Sequence, residues 1–428
     1  MVREGRFRRV LPIHAPSLEW GDYWLYLRSP FTPTRDQALS LNEVWEPLLG
    51  PRQIIPTPTG RQALWEFLQL ADLREGDEVL VSAYNFYVIV QMLIQRKLVP
   101  VFVDIDPETL CMDPKDLLNK LTDRSRLVIV THLFGHPTDL DRIALVCQEH
   151  QLLLFEDCAH AVGTRCGLEH VGTLGDGALF SFGIYKTINT FGGGMLVLRP
   201  SSRVQFLQPV ISEGAAGLTS AADHVIRCVL SVLLTPRLHT LILYPLMRFA
   251  KRFLPGLYEL VYPSKNNPNY VFRTGDRAPF KLYMTRMIER QLDALELRIA
   301  RRRAIIYEIK TRLSGLQEIR VLDEDKHGRA NGAYFGLYVP DPEGLARHLE
   351  TQGILSNPHE YYDCSQLPQF SAYRADCEEA AYAAEHLLRI PNFPSLRDGE
   401  VERIVESIRT HLLRNAVTDT THHPLSIH

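Results

Sequence analysis

Two short stretches carry the side chains with the most chemistry in them. The apolar run Leu152 to Phe155 ends in Glu156-Asp157-Cys158-Ala159-His160. About two dozen residues on, a second apolar run delivers Phe180-Ser181-Phe182-Gly183-Ile184-Tyr185-Lys186, followed by Gly192-Gly193-Gly194. A carboxylate, a hydroxyl and an amine in that order meet the demands of pyridoxal phosphate. Asp157 would keep the pyridine nitrogen protonated, Ser181 would meet the phosphate, and Lys186 would form the Schiff base.

The remaining demands of such a cofactor are a phosphate cradle and a flat face for the ring. Pro56-Thr57-Pro58-Thr59-Gly60-Arg61-Gln62-Ala63-Leu64 reads as a turn that opens a helix. Thr59 is its N-cap candidate and Gly60 lets the backbone approach an anion, at the positive end of the helix dipole. Arg61 adds charge there. Phe86, just after a strand, offers an aromatic face. A free lysine has a pKa of about 10.4, so Lys186 needs surroundings that disfavour its charge before it can act as a nucleophile. Each residue alone has an ordinary reading, as cap, core or solvated charge; their conjunction points to the cofactor.

The elements that must position these groups alternate between strand and helix patterns from about residue 55 to residue 200, the mark of an α/β domain with a mostly parallel sheet. The strands are expected at 78–82, 99–104, 126–132, 152–156, 178–182 and 195–198. Helices are expected at 61–70, 86–95, 114–121 and 139–149. One long helix is expected over 281–314, its Arg298 and Arg301 to Arg303 forming a solvated face. A smaller α+β unit follows, with a strand at 333–339 and helices at 342–352, 377–388 and 398–413. The chain divides into an arm (1–50), a large domain (51–205), an extra basic and apolar helical segment (206–275), a long helix with a small C-terminal domain (276–414) and a flexible polar tail (415–428).

At 428 residues, 45% hydrophobic and 23% charged, with a formal charge of -3, the composition is that of a globular protein and not of a nucleic-acid binder. Seven scattered cysteines without a C-x-x-C read as reduced thiols in the cytoplasm, and no metal site is expected. The segment 221–262 stands apart. Between Val225 and Tyr258 it holds Arg227, Arg237, Arg248, Lys251 and Arg252 and no acidic residue. Prolines and arginines break its apolar runs short of the ~20 residues a spanning helix needs. Two readings stay open: helices buried against the domain or a partner subunit, or helices lying peripherally in an anionic membrane surface.

Several further motifs fall in a specific order. Gly76-Asp77-Glu78-Val79 precedes a strand; Pro100 to Asp106, His132-Leu133-Phe134-Gly135-His136-Pro137, Glu156 to Ala161 and Gly172 to Asp176 follow; Ser181-Phe182 stands five residues before Lys186. Together they resemble the DegT family of sugar aminotransferases, fold-type I pyridoxal phosphate enzymes similar to aspartate aminotransferase. The resemblance covers most of the chain and implies a large domain with a mixed, mostly parallel sheet, a small α+β domain and a homodimer. It implies that Lys186 holds the cofactor as a Schiff base and shuttles a proton, that Asp157 holds the pyridine nitrogen, and that Phe86 stacks on the ring. Gly60, Arg61 and Ser181 would surround the phosphate, and His160 would lie near the cofactor hydroxyl. The implied reaction moves an amino group, typically from glutamate, to a keto sugar, nucleotide- or lipid-linked, in cell-envelope or polysaccharide biosynthesis. Dehydration or elimination by the same cofactor, or a non-catalytic module keeping the fold, are the alternatives. The family's usual Asn-x-Arg-Met-x-Glu-x-Gln pattern is replaced here by Arg277 to Met284, and its His-Tyr substrate segment appears only as His359-Glu360-Tyr361.

Overall fold

The structure, a computed structural model, describes residues 9–28, 41–200, 204, 218–253, 271–272 and 282–420. The sheet strands of the large domain are β1 Gln53–Thr57, β2 Glu78–Ser82, β3 Val99–Val103, β4 Ser125–Thr131, β5 Leu153–Asp157, β6 Gly177–Ser181 and β7 Gly194–Leu198. The small domain adds β8 Arg320–Val321, β9 Phe335–Tyr338 and β10 Leu387–Ile390. The helices, in chain order, are α1 Trp20–Arg28, α2 Leu41–Leu49, α3 Gly60–Leu70, α4 Tyr87–Gln95, α5 Pro114–Asn119, α6 Leu140–Glu149, α7 Leu218–Leu233, α8 Tyr244–Phe253, α9 Leu282–Asp293, α10 Leu295–Leu313, α11 Pro342–Thr351, α12 Glu378–His386 and α13 Asp398–Thr420.

The seven strands order as β1-β7-β6-β5-β4-β2-β3. β3, β2, β4, β5 and β6 run parallel, while β7 is antiparallel to both β6 and β1. Their near-continuous apolar runs are those of a sheet covered on both faces. Along β2, Val79 and Val81 enter one core with Ile129, Phe155 and Leu179. The alternate residues Leu80, Val128, Leu154 and Ala178 enter a second core on the other face. In a parallel sheet all carboxyl ends lie on one edge, so Asp157 at the end of β5 and Ser181 at the end of β6 come out side by side. A third core joins α10, α11 and α13 to the small sheet β8-β9-β10.

The edge strand β1 escapes the sequence pattern because Pro56 and Pro58 read as a turn; proline is tolerated at a sheet edge, and Pro56 pairs opposite Met195. The helix expected over 281–314 is two helices. Ala294 leaves helical torsions (φ -96°, ψ 3°), so that α9 packs with Tyr283 against Tyr26 of α1 while Leu295 and Ile299 of α10 enter the second core. Alanine fits either state, so periodicity runs through the break. The helix expected at 377–388 ends at His386 and the chain turns into β10. The last helix runs to Thr420, through the first residues of the stretch expected as a tail, and 421–428 lie outside the described residues. Arg277 to Lys281 of the altered motif also lie outside them.

Candidate active site

The phosphate end of the site is built by close backbone packing. Thr59 caps α3, its hydroxyl accepting from the Gln62 N–H at 3.1 Å. A Cβ on Gly60 would stand 3.0 Å from the Ser181 Cβ, and one on Gly194 would stand 2.5 Å from the Gly60 nitrogen. Only glycines let the start of α3 lie this close to the ends of β6 and β7. Arg61 follows on the first turn with an exposed side chain.

Asp157, buried at the end of β5, pairs in register with Leu179 of β6 and takes the Ala159 N–H on Oδ1 at 2.9 Å. Burial raises its pKa, against the pull of the Ala159 N–H and the Lys186 charge. Lys186 stands in the loop after β6. Burial pushes its amine down to about 8, beyond the opposing pull of Asp157 and Glu360. Phe86 stands at the N-cap position just before α4 and is 39% exposed, which leaves an aromatic face open to a flat partner.

His160 is buried, and its Nε2 shares a hydrogen bond of 3.1 Å with the Tyr361 hydroxyl. Its ring stacks on Tyr334 at 4.3 Å. Burial and then the Lys186 and Arg389 charges hold its pKa well below the ordinary histidine value, so it is neutral. Arg389 lies 4.0 Å over the Tyr334 ring, pairs with Glu360 at 2.9 Å and donates to Nε2 of His14 from the N-terminal arm. Asn331 fixes the backbone by donating to the His160 carbonyl at 2.8 Å.

Behind Asp157 a second carboxylate does structural work. Glu156 accepts the N–H groups of Gly172 (2.6 Å), Gly175 (2.7 Å) and Leu174 (2.9 Å) and pairs with His132 at 3.1 Å. Burial would raise its pKa, but the bonds from His132, Gly172 and Gly175 outweigh that and hold it below the usual range. Among the described residues His132, Glu156 and Cys158 are near enough to share a metal ion, yet the Glu156 oxygens are already occupied by backbone donors.

These residues fit pyridoxal phosphate: a glycine-lined helix start beside a serine hydroxyl, a half-exposed ring, a buried carboxylate and an amine of lowered proton affinity converge on one face. Comparison with known proteins then decides the family. The family model described as the DegT/DnrJ/EryC1/StrS aminotransferase family matches residues 29–216 and 283–409, most of the chain. The chain belongs to this family. The gap between the two matched parts coincides with most of the helical segment read as extra. A GDP-perosamine synthase of Vibrio cholerae is 31% identical over 193 residues, which are 44% of this chain and 52% of that protein. A pleiotropic regulatory protein of Geobacillus stearothermophilus is 25% identical over 362 residues, 82% of each. The chain thus spans about half the length of the first curated relatives it matches. The aminotransferase TlmJ from Streptoalloteichus hindustanus has a fold that superposes with a TM-score of 0.70 over 95% of this chain and all of that one, at 23% identity.

Within this DegT-family fold Gly60, Ser181 and Gly194 meet, and Asp157, His160 and Lys186 share one electrostatic environment. The opposite wall, His14, Arg302, Tyr334 and Arg389, carried no signal of its own in the sequence. Arg302 was expected on a solvated face and is instead buried, because α10 turns that residue inward beside Gly332. Its neighbours keep surface roles: Arg303 holds Asp325 through two bonds of 2.7 Å, and Arg301 holds Asp398. Of the segment 359–361, Tyr361 reaches His160, while His359 faces out to Glu343.

Proposed function

We propose that this protein is a pyridoxal phosphate-dependent aminotransferase that transfers an amino group from an amino acid, glutamate, to the keto group of a nucleotide- or lipid-linked sugar in polysaccharide or cell-envelope biosynthesis. The observation that carries this reading is the buried pair Lys186 and Asp157, one with a depressed and one with an elevated pKa, beside a glycine-lined helix start. When bound, pyridoxal phosphate supplies an electron sink for charge developing at the substrate α-carbon. Asp157 would hold the proton on the ring nitrogen, and burial raises the value of that charge pair. Lys186 would hold the cofactor by its aldehyde carbon and, with its amine freed by the donor, would carry the proton between the donor α-carbon and that cofactor carbon. Gly60, Arg61 and Ser181 would hold the phosphate, Phe86 would cover the ring and His160, neutral, would lie near the ring hydroxyl.

Borohydride reduction of the purified holoprotein, followed by peptide mapping, tests the assignment: the pyridoxyl group belongs on Lys186. In unreduced holoprotein, added glutamate should convert the pyridoxal absorbance to that of pyridoxamine phosphate. An eliminating enzyme or a non-catalytic binding module would leave that absorbance unconverted. The relatives' names, perosamine synthase among them, support a sugar acceptor. We read the enzyme as a cytoplasmic homodimer, a state that sedimentation velocity measures directly.

The helical segment supports a peripheral contact with anionic lipid. Among the described residues no single helix is long and apolar enough to cross a membrane, and the two apolar stretches meet at 73°. Cys228, Ser231 and His239 face inward, with Ser231 bonded to Tyr23 and Thr240 to the Val10 backbone. Outward stand Val225, Ile226 and Val229 on α7 and Leu246, Phe249 and Phe253 on α8, beside exposed Arg248 and Arg252. Apolar groups flanked by cations without acids suit an anionic interface. Liposome flotation with phosphatidylglycerol, set against Phe249→Ser/Phe253→Ser, checks this: equal and negligible binding by both proteins ends the idea.

A further inference from the structure

A small cavity opens beside Lys186, between the loop Ile184 to Thr187, the arm at His14 and the inner face of α10. Arg302, Thr187 and Asn392 all line it. Each of the three is more than nine-tenths buried, at 6%, 5% and 4% exposure. Each also carries polar atoms with no hydrogen-bond partner: Nε and Nη1 of Arg302, Oγ1 of Thr187 and Oδ1 of Asn392. A guanidinium kept from water without an anion is costly, and burial accordingly brings Arg302 down to about 10, with Arg298 adding to the effect. The Asn392 amide is oriented by its donation to the Gly332 carbonyl at 2.6 Å, which leaves its oxygen as an acceptor.

The unmet groups specify a ligand. Arg302 and Thr187 ask for anionic oxygen, with Nε and Nη1 of the guanidinium and the Thr187 hydroxyl as the donors still to be met. Asn392 asks for an N–H or O–H hydrogen. The cavity is narrow, and the cofactor phosphate belongs at the far end, by Gly60 and Ser181. An α-amino acid carries a carboxylate and an N–H two bonds apart, and its nitrogen must arrive where Lys186 stands.

We propose that Arg302, with Thr187 and Asn392, forms the subsite that holds the α-carboxylate of the amino donor. The inference rests on the aminotransferase reading and names the residues that select the donor. No bond is made or broken in this step; Arg302 orients the donor so that its α-nitrogen faces the Lys186 side of the cofactor.

The test is the half-reaction of the holoprotein, followed by absorbance, with glutamate and with its α-amide, isoglutamine. Wild type should discriminate strongly against the α-amide. Arg302→Gln should raise the half-saturating glutamate concentration by about 30-fold or more, with a smaller change in limiting rate, and should abolish the discrimination. Arg302→Lys should restore part of both. Thr187→Val should move the same two quantities less and serves if the arginine variants do not fold. Unchanged half-saturation and unchanged discrimination in a folded Arg302→Gln protein overturn the proposal. Should wild type react with no amino acid, the aminotransferase reading fails by itself. Thermal stabilisation by glutamate, present in wild type and lost in Arg302→Gln, then still decides whether the cavity takes a carboxylate, and its absence in wild type overturns the subsite.

Discussion

The two walls of the site are made in different ways. One wall, Asp157, Ser181, Gly60 and Lys186, comes from the ends of adjacent strands and the first turn of the helix packed on them, so the stretch from Asp157 to Lys186 and the helix start at Gly60 fix its geometry. The other, His14, Arg302, Tyr334, Tyr361 and Arg389, is drawn from the arm, α10, the small domain and its loops, residues hundreds of positions apart; stacking, one hydrogen bond and the Arg389–Glu360 pair join His14, Tyr334, Tyr361 and Arg389 through His160, and Arg302 lies beside them. The first wall is suited to a cofactor whose demands are fixed, and the second to a substrate.

That contrast can be broken experimentally, beginning where the effect is largest. Lys186→Ala should lower transamination by about 10⁴-fold or more and leave borohydride without a labelled lysine, because it removes the amine assigned to the Schiff base and the proton transfer. Asp157→Asn should cost about 10³-fold in single-turnover rate, the scale of removing one preorganised charge, while cofactor content measured by absorbance falls much less. The carboxylate beside it should behave differently. Glu156→Gln is expected to lower stability by about 3 kcal/mol, since three backbone donors and His132 lose their anion, and this reads out as a lowered thermal midpoint. Because the folded-state pKa of Glu156 is depressed, its contribution is full above the unfolded glutamate value of about 4.3 and disappears as pH falls through the lower folded value. The variant should therefore lose less stability than wild type as pH falls over that window.

Smaller effects sharpen the comparison. With the Lys186 amine at about 8, the rate at which apoprotein takes up pyridoxal phosphate should rise about tenfold from pH 7 to pH 9 and then level off, as the neutral amine becomes the major form. A rise that continues unchanged to pH 10 and beyond contradicts the buried environment. On the second wall, Tyr361→Phe removes one hydrogen bond to a neutral His160 and should alter the donor half-reaction only about 3- to 10-fold, with an unchanged pH profile.

How much of this was legible follows the same division. Strand periodicity located β2 to β7 within a residue or two, and the carboxyl-end placement of Asp157 and Ser181 follows from a parallel sheet alone. Ala294 and Pro56 defeated the local patterns because alanine is compatible with a helix break and proline with an edge strand. Arg301, Arg302 and Arg303 show the limit most plainly. They are three consecutive identical side chains, two at the surface holding Asp398 and Asp325 and the middle one buried against the Lys186 cavity. By itself the sequence determined the chemistry available, since residue types and spacing within one sheet edge decide which groups can meet a cofactor. Only the tertiary structure decided which of three arginines leaves water, because burial depends on what packs against a helix face and not on the residue that occupies it.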